Sequence, residues 1–148
     1  MKKIIIFLTL NIIFIGISFG QEIECGDGVT YSNEQQTKYD KRLTDYQKIE
    51  SVPTYSDGKD ELNKIIESKL KVNEQGKNIV FRLNYMFTIT CDGQIKDFKT
   101  LGDSELSNLT NIEEIIAETN GKWIPAEKDG KPVDCIFFAK KTIVGNKY

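Results

Sequence analysis

The sequence has 0 histidines, 3 prolines, 1 tryptophan and 3 cysteines in 148 residues. Without histidine it lacks the usual general base near neutral pH and the commonest zinc ligand. Its serines lie in turns with no imidazole to activate them, which closes the ordinary route to nucleophilic catalysis. Carboxylates are plentiful, but Asp57, Asp60, Glu61, Glu113, Glu114, Glu127 and Asp129 each fall at a helix start or a turn. Those positions favour acidic residues for local reasons and need no chemistry to explain them. No CxxC occurs, so neither a redox motif nor a cysteine metal site is signalled. The expectation is a protein that is not an enzyme, with no catalytic residue, no cofactor, no metal and no small-molecule substrate.

A net positive charge is missing as well. Twenty Lys and Arg stand against 22 Asp and Glu, a formal net charge of -2. That leaves no basic footprint for nucleic acid, which is set aside as a partner. A long apolar run occurs only at the start, in MKKIIIFLTLNIIFIGISFG. Two lysines, an apolar stretch from Ile4, and Ser18 and Gly20 at the minus-three and minus-one positions lay out a secretory signal peptide over residues 1–20. Its removal takes Lys2 and Lys3 away and moves the net charge from -2 to -4. Retained, the segment would be an inner-membrane anchor, although Asn11 interrupts it and it is short for a span. Export is expected, to the periplasm first and to the medium second.

In an oxidising compartment, Cys25, Cys91 and Cys135 suggest one disulfide and one spare thiol. Lipid attachment at Cys25 is excluded, because Glu22 and Glu24 stand where small apolar residues are needed. The length suits one modest domain. Residues 21–52 form a polar leader, in which Ser32 and Gln35 could cap a peripheral helix carrying Tyr39, Leu43 and Tyr46.

From residue 53 the pattern sharpens. Asp57-Gly58 marks a turn, and Leu62, Ile65, Ile66 and Leu70 share one face of a helix over residues 59–71. Phe81, Leu83, Tyr85, Phe87 and Ile89 then alternate with more polar positions, as a half-buried strand does. Asp92-Gly93 reads as a tight hairpin turn with two positive-φ positions. Ile95, Phe98 and Leu101 mark the returning strand, their spacing of three pointing to a bulge. Thr110 and Glu113 form a capping box for a second helix reaching residue 119, stopped by Asn120-Gly121. A last strand over residues 133–143 places Val133, Cys135, Phe137 and Ala139 on one face. The fold class is α+β: a three-stranded antiparallel sheet with two helices on one face, in the order helix-strand-strand-helix-strand, over residues 53–145.

Three stretches, PTYSDGKDELNKIIESKLK, FTITCDGQIKDFKTL and KWIPAEKDGKPV, follow one another in this arrangement. In order and spacing they resemble the C-terminal domain of TonB proteins, most of all the versions common in Bacteroidetes. The matching positions are Pro53, Tyr55 and Gly58; Phe87, Ile89, Asp92 and Gly93; and Trp123, Pro125, Gly130, Pro132 and Val133. On the residues themselves, Pro125 and Pro132 stiffen the crossover into the last strand. Trp123 caps the core with its N–H satisfied, and Gly130 serves a turn.

The resemblance implies an interaction module that recruits an extended peptide of an outer-membrane receptor in the cell envelope. The docking place would be the last strand, taken to lie at the sheet edge, with Val133, Asp134, Ile136, Phe138 and Lys140 acting mainly through backbone. A dimer through the same edge is a further expectation. Lys140 and Lys141 could equally be the charges that protect an edge from aggregation. A second function class is a structural or regulatory envelope protein of the same fold that takes no part in TonB-dependent transport. A long Pro-rich linker, such as energy transducers use, is missing from the leader, which favours that second class. Finally, antiparallel neighbours would bring the end of the first strand to the start of the last, so a Cys91–Cys135 disulfide is expected, with Cys25 paired to either, or all three thiols reduced, as the alternatives.

Overall fold

The computed structural model describes residues 23–27, 29–31, 49–102 and 104–148. The signal segment and the leader helix expected around Ser32 to Tyr46 lie outside the described residues. Among those described, no helix is long and apolar enough to cross a membrane.

The class is α+β, with two α-helices and two sheets among the described residues. The chain runs β1 (Val29–Tyr31), β2 (Thr54–Tyr55), α1 (Lys59–Lys69), β3 (Val80–Ile89), β4 (Ile95–Leu101), α2 (Ile112–Ala117), β5 (Trp123–Ile124), β6 (Ala126–Lys128) and β7 (Lys131–Val144). The main sheet has the order β1-β7-β3-β4, and β6 pairs with the start of β7. Strand β3 is central and antiparallel to both β4 and β7. The pairing of β1 with β7 is parallel. A plain three-stranded sheet is therefore not what forms: short strands extend it on both sides of β7.

Local chemistry sets the elements. Helix α1 begins after Gly58, whose φ of 87° no β-branched residue would take, and Asp60 and Glu61 fill its first turn. It ends at Lys69, two residues short of the expected limit, because Leu70 turns to extended backbone. The bulge in β4 is present, with the register against β3 shifting between Met86 and Thr88 and Asp97 at φ 53°. The capping box before α2 is not. Asn111 occupies the cap, and its side chain instead accepts from Lys71 N at 2.8 Å and donates to Lys69 O at 3.2 Å. It therefore ties the end of α1 to the start of α2, and the Thr110 hydroxyl is left buried without a partner.

Alternation along β3 sends Phe81, Leu83, Tyr85, Phe87 and Ile89 into one core with Ile66, Leu70, Ile112, Ile115 and Ile116 of the helical layer. Trp123 closes that core. It is 5% exposed, its indole N–H donates to the Thr119 hydroxyl at 3.0 Å, and its ring lies 5.5 Å from Phe87 and 5.6 Å from Tyr55. The PTY and WIP stretches meet here directly, since Tyr55 pairs with Trp123 and Thr54 with Ile124 in the second sheet. The opposite face of the main sheet carries a smaller cluster of Met86 and Ile136 with Leu101 and Phe138.

Candidate functional site

The candidate site is the side of β7 that faces away from β3. Its direction can be read from backbone bonds. Glu127 exchanges hydrogen bonds with residues 50 and 51, away from β7, so its partner Pro132 turns its own carbonyl away from β6. That carbonyl accepts from Gly26 N at 2.8 Å. Register with β3 is continuous from Cys135 to Val144, so the even-numbered residues of β7 share this outward direction.

The expectation that the last strand is a bare edge is corrected here. Val29, Thr30 and Tyr31 pair in parallel with Asp134, Cys135 and Ile136, and cover the first half of the outer side. Two more contacts continue this docking towards the N-terminus. Lys131 Nζ meets Glu24 Oε1 at 2.5 Å, and the Gly26 backbone lies so close that a Cβ there would come within 2.6 Å of Val133 Cγ1. Lys131 holds the Glu24 carboxyl below its ordinary range, first through their hydrogen bond and then through charge; Glu24 raises the Lys131 ammonium in the same way. A polar cleft of about 340 Å³ separates residues 24–27 from the turn that carries Lys128 and Asp129.

The five residues expected to bind a partner part company. Val133 is buried with Ala126 and Cys135. The Asp134 carboxylate accepts from Cys91 N at 2.8 Å, and its backbone already pairs with Val29. Ile136 is buried on the second face and paired with Tyr31, and Phe138 packs in the same cluster. Lys140 is exposed. Among the described residues no strand lies beside Lys140, Thr142 or Val144 on the outer side. Val144 pairs in register with Val80, and both are exposed, at 39% and 67%, with Ile79 beside them.

The disulfide is also corrected. Cys25 is bonded to Cys91, with Cα atoms 5.7 Å apart, and Cys135 is a free thiol. The two-residue period of β7 turns Cys135 inward, where it is 0% exposed and burial pushes its thiol up to about 12. Cys91 lies in the loop after β3 and is half-exposed, within reach of the leader. Sequence reasoning missed the Glu24, Gly26 and Lys131 contacts. The one available signal was Cys25 next to Gly26 in a polar stretch.

The motif glycines have distinct reasons. At the first hairpin only Gly93 has positive φ, 78°, where two such positions were expected, and a Cβ on it would strike the Trp123 carbonyl oxygen at 2.4 Å. The two-residue turn with both positions at positive φ is instead Asp129-Gly130, at 52° and 70°, between β6 and β7. Pro125 and Pro132 flank β6, and Pro53 is buried beside β2. Among the described residues there is no cluster of three or more His, Cys, Asp or Glu fit to hold a metal.

No family model matches the chain, and neither a curated protein nor a solved structure does.

Proposed function

We propose that this chain is a non-catalytic interaction module of the cell envelope that takes up an extended segment of a partner protein by strand addition along β7. One observation carries this reading: β7 already accepts such a segment, since β1 docks on it from outside the α1-to-β7 unit, through backbone. The outer groups of Lys140, Thr142 and Val144 continue that edge, and exposed Val80 and Val144 offer apolar side-chain contacts beside it. The antiparallel order β7-β3-β4, with both helices on one face, supports a TonB C-terminal-like arrangement. That resemblance makes the peptide of an outer-membrane receptor the partner of choice, and export to the periplasm the setting. A second reading has its own observation. Because β1 covers Asp134 and Ile136, the module could be closed to receptors and serve a structural or regulatory role.

Affinity capture from envelope extract with residues 21–148 separates the two. Thr142→Pro is the control: it removes an outward N–H, leaves charge unchanged and spares the bonds to β3. Circular dichroism checks its fold. Receptors retained by the native chain and lost by the folded variant support strand addition. Equal capture by both, or none, overturns it in favour of the structural reading.

A further inference from the structure

Residues 24–27 and 29–31 lie on β7 as a ligand would. They hold on by backbone pairing at residues 134–136, one hydrogen bond from Gly26 to Pro132, one exposed ion pair and one covalent bond. Among the described residues, the non-covalent part is slight. A three-residue strand is below the usual length of an independent pairing, and an ion pair between side chains 49% and 81% exposed contributes little. The disulfide is the covalent tie that joins this short segment to the loop after β3.

We infer that residues 24–31 are a displaceable occupant of a peptide-docking groove, and that the Cys25–Cys91 disulfide is its catch. Oxidised, the groove is filled by the chain itself. Reduced, it admits another extended peptide, running parallel to β7, with a carboxylate beside Lys131 and a glycine over Val133. Those requirements are the imprint of the present occupant: Glu24 meets Lys131, and only glycine fits over the Val133 methyl group without displacing it. The inference rests on the proposed strand addition and names both its site and its control.

The chemistry is ordinary thiol–disulfide exchange with an external dithiol. A thiolate of the dithiol attacks one sulfur of Cys25–Cys91, the S–S bond breaks and a mixed disulfide forms. The second thiolate of the reagent then attacks that mixed bond. Cys25 and Cys91 leave as thiols, each taking a proton, and the dithiol becomes a disulfide after giving two electrons. Cys25 is exposed and Cys91 half-exposed, so the reagent can reach them. Cys135 is fully buried and does not compete. A tethered strand still has an effective concentration of the order of millimolar, so reduction alone loosens the catch, and a weakened occupant opens the groove further.

The test uses a fluorescein-labelled peptide of residues 23–31 carrying Cys25→Ser, titrated by fluorescence anisotropy against the full chain. Oxidised protein should show no saturable binding. Dithiothreitol should tighten binding at least tenfold, reduced Gly26→Val should bind tighter still, and adding Lys131→Glu to it should weaken binding several-fold. Equal binding by oxidised and reduced protein overturns the inference, as does no binding by reduced Gly26→Val that is folded by circular dichroism. Should that variant not fold, amide exchange at Asp134 and Ile136 in the wild type decides. At least tenfold faster exchange on reduction supports the catch, and unchanged exchange overturns it. No receptor enters this assay. Peptide binding without receptor capture leaves the catch standing and removes the receptor as partner, while receptor capture that ignores reduction removes the catch alone.

Discussion

The dipeptide Asp-Gly occurs at two hairpins of this chain, and the two could hardly be used more differently. Asp129-Gly130 is a free turn: both residues sit at positive φ, and a Cβ on Gly130 would meet open space. Asp92-Gly93 is an anchored one. Gly93 presses on the Trp123 carbonyl, the Asp134 carboxylate holds Cys91 N, the Asn120 side chain holds Ile95 N at 2.6 Å, and Cys91 is bonded to Cys25. The lesson is that a local motif announces a turn, whereas what surrounds the turn decides how much it matters.

The largest expected effect comes from cutting the anchor. Cys91→Ser opens a link between residues 66 apart, and lost chain-entropy restraint of that span is about 4 kcal/mol. Thermal unfolding without reductant should show a large fall in Tm that Cys135→Ala, at a buried but unbridged thiol, does not match. A Tm unmoved by Cys91→Ser would mean that the first turn is not anchored through its cysteine.

The glycines give the sharpest contrast. Gly93→Ala forces a left-handed alanine and a backbone carbonyl displaced by the new methyl group, together about 3 kcal/mol. Gly130→Ala carries only the conformational term, about 1 kcal/mol. Urea unfolding of the pair should separate their midpoints clearly, with Gly93→Ala the weaker. Equal midpoints would remove the distinction between the turns.

Much of this was legible in the sequence, and the exceptions share a cause. The helices, the central strand and the bulge carry side-chain periodicity, and residues 59–71, 81–89 and 95–101 read accordingly. Thr110 and Glu113 have the spacing of a cap, but Asn111 bonds across to α1, a tertiary contact that overrides the local pattern. The docking of β1 could not be read because it runs through backbone, which leaves no side-chain pattern. The preferred cysteine pairing failed for a related reason, and the alternative of Cys25 with Cys91 is what forms. Proximity of strand ends was right, since Ile89 lies opposite Cys135, but the alternation of β7 turns that thiol into the core and leaves Cys91 outside.

The smallest expected effect lies in how acid acts on the anchored turn. The Thr90 hydroxyl donates to the Asp92 carboxylate, and this bond, more than any other cause, holds the Asp92 carboxyl below its usual 3.8; Lys96 adds a weaker attraction. The same Thr90 oxygen accepts from Gln94 N at 2.9 Å, so the carboxylate orients the hydroxyl that closes the loop. A carboxyl depressed by folding stabilises the folded state above its unfolded value and ceases to do so as pH falls through the folded one. The turn should therefore loosen below pH 3.8, while at neutral pH it is unaffected. Amide exchange at Gln94, corrected for its intrinsic pH dependence, should accelerate over that acid window in the native chain. In Thr90→Val the Asp92 titration, followed by side-chain carboxyl NMR shift, should move back up towards 3.8. A titration left where it was would show that the hydroxyl does not hold the charge, and that the anchoring of this turn owes nothing to its aspartate.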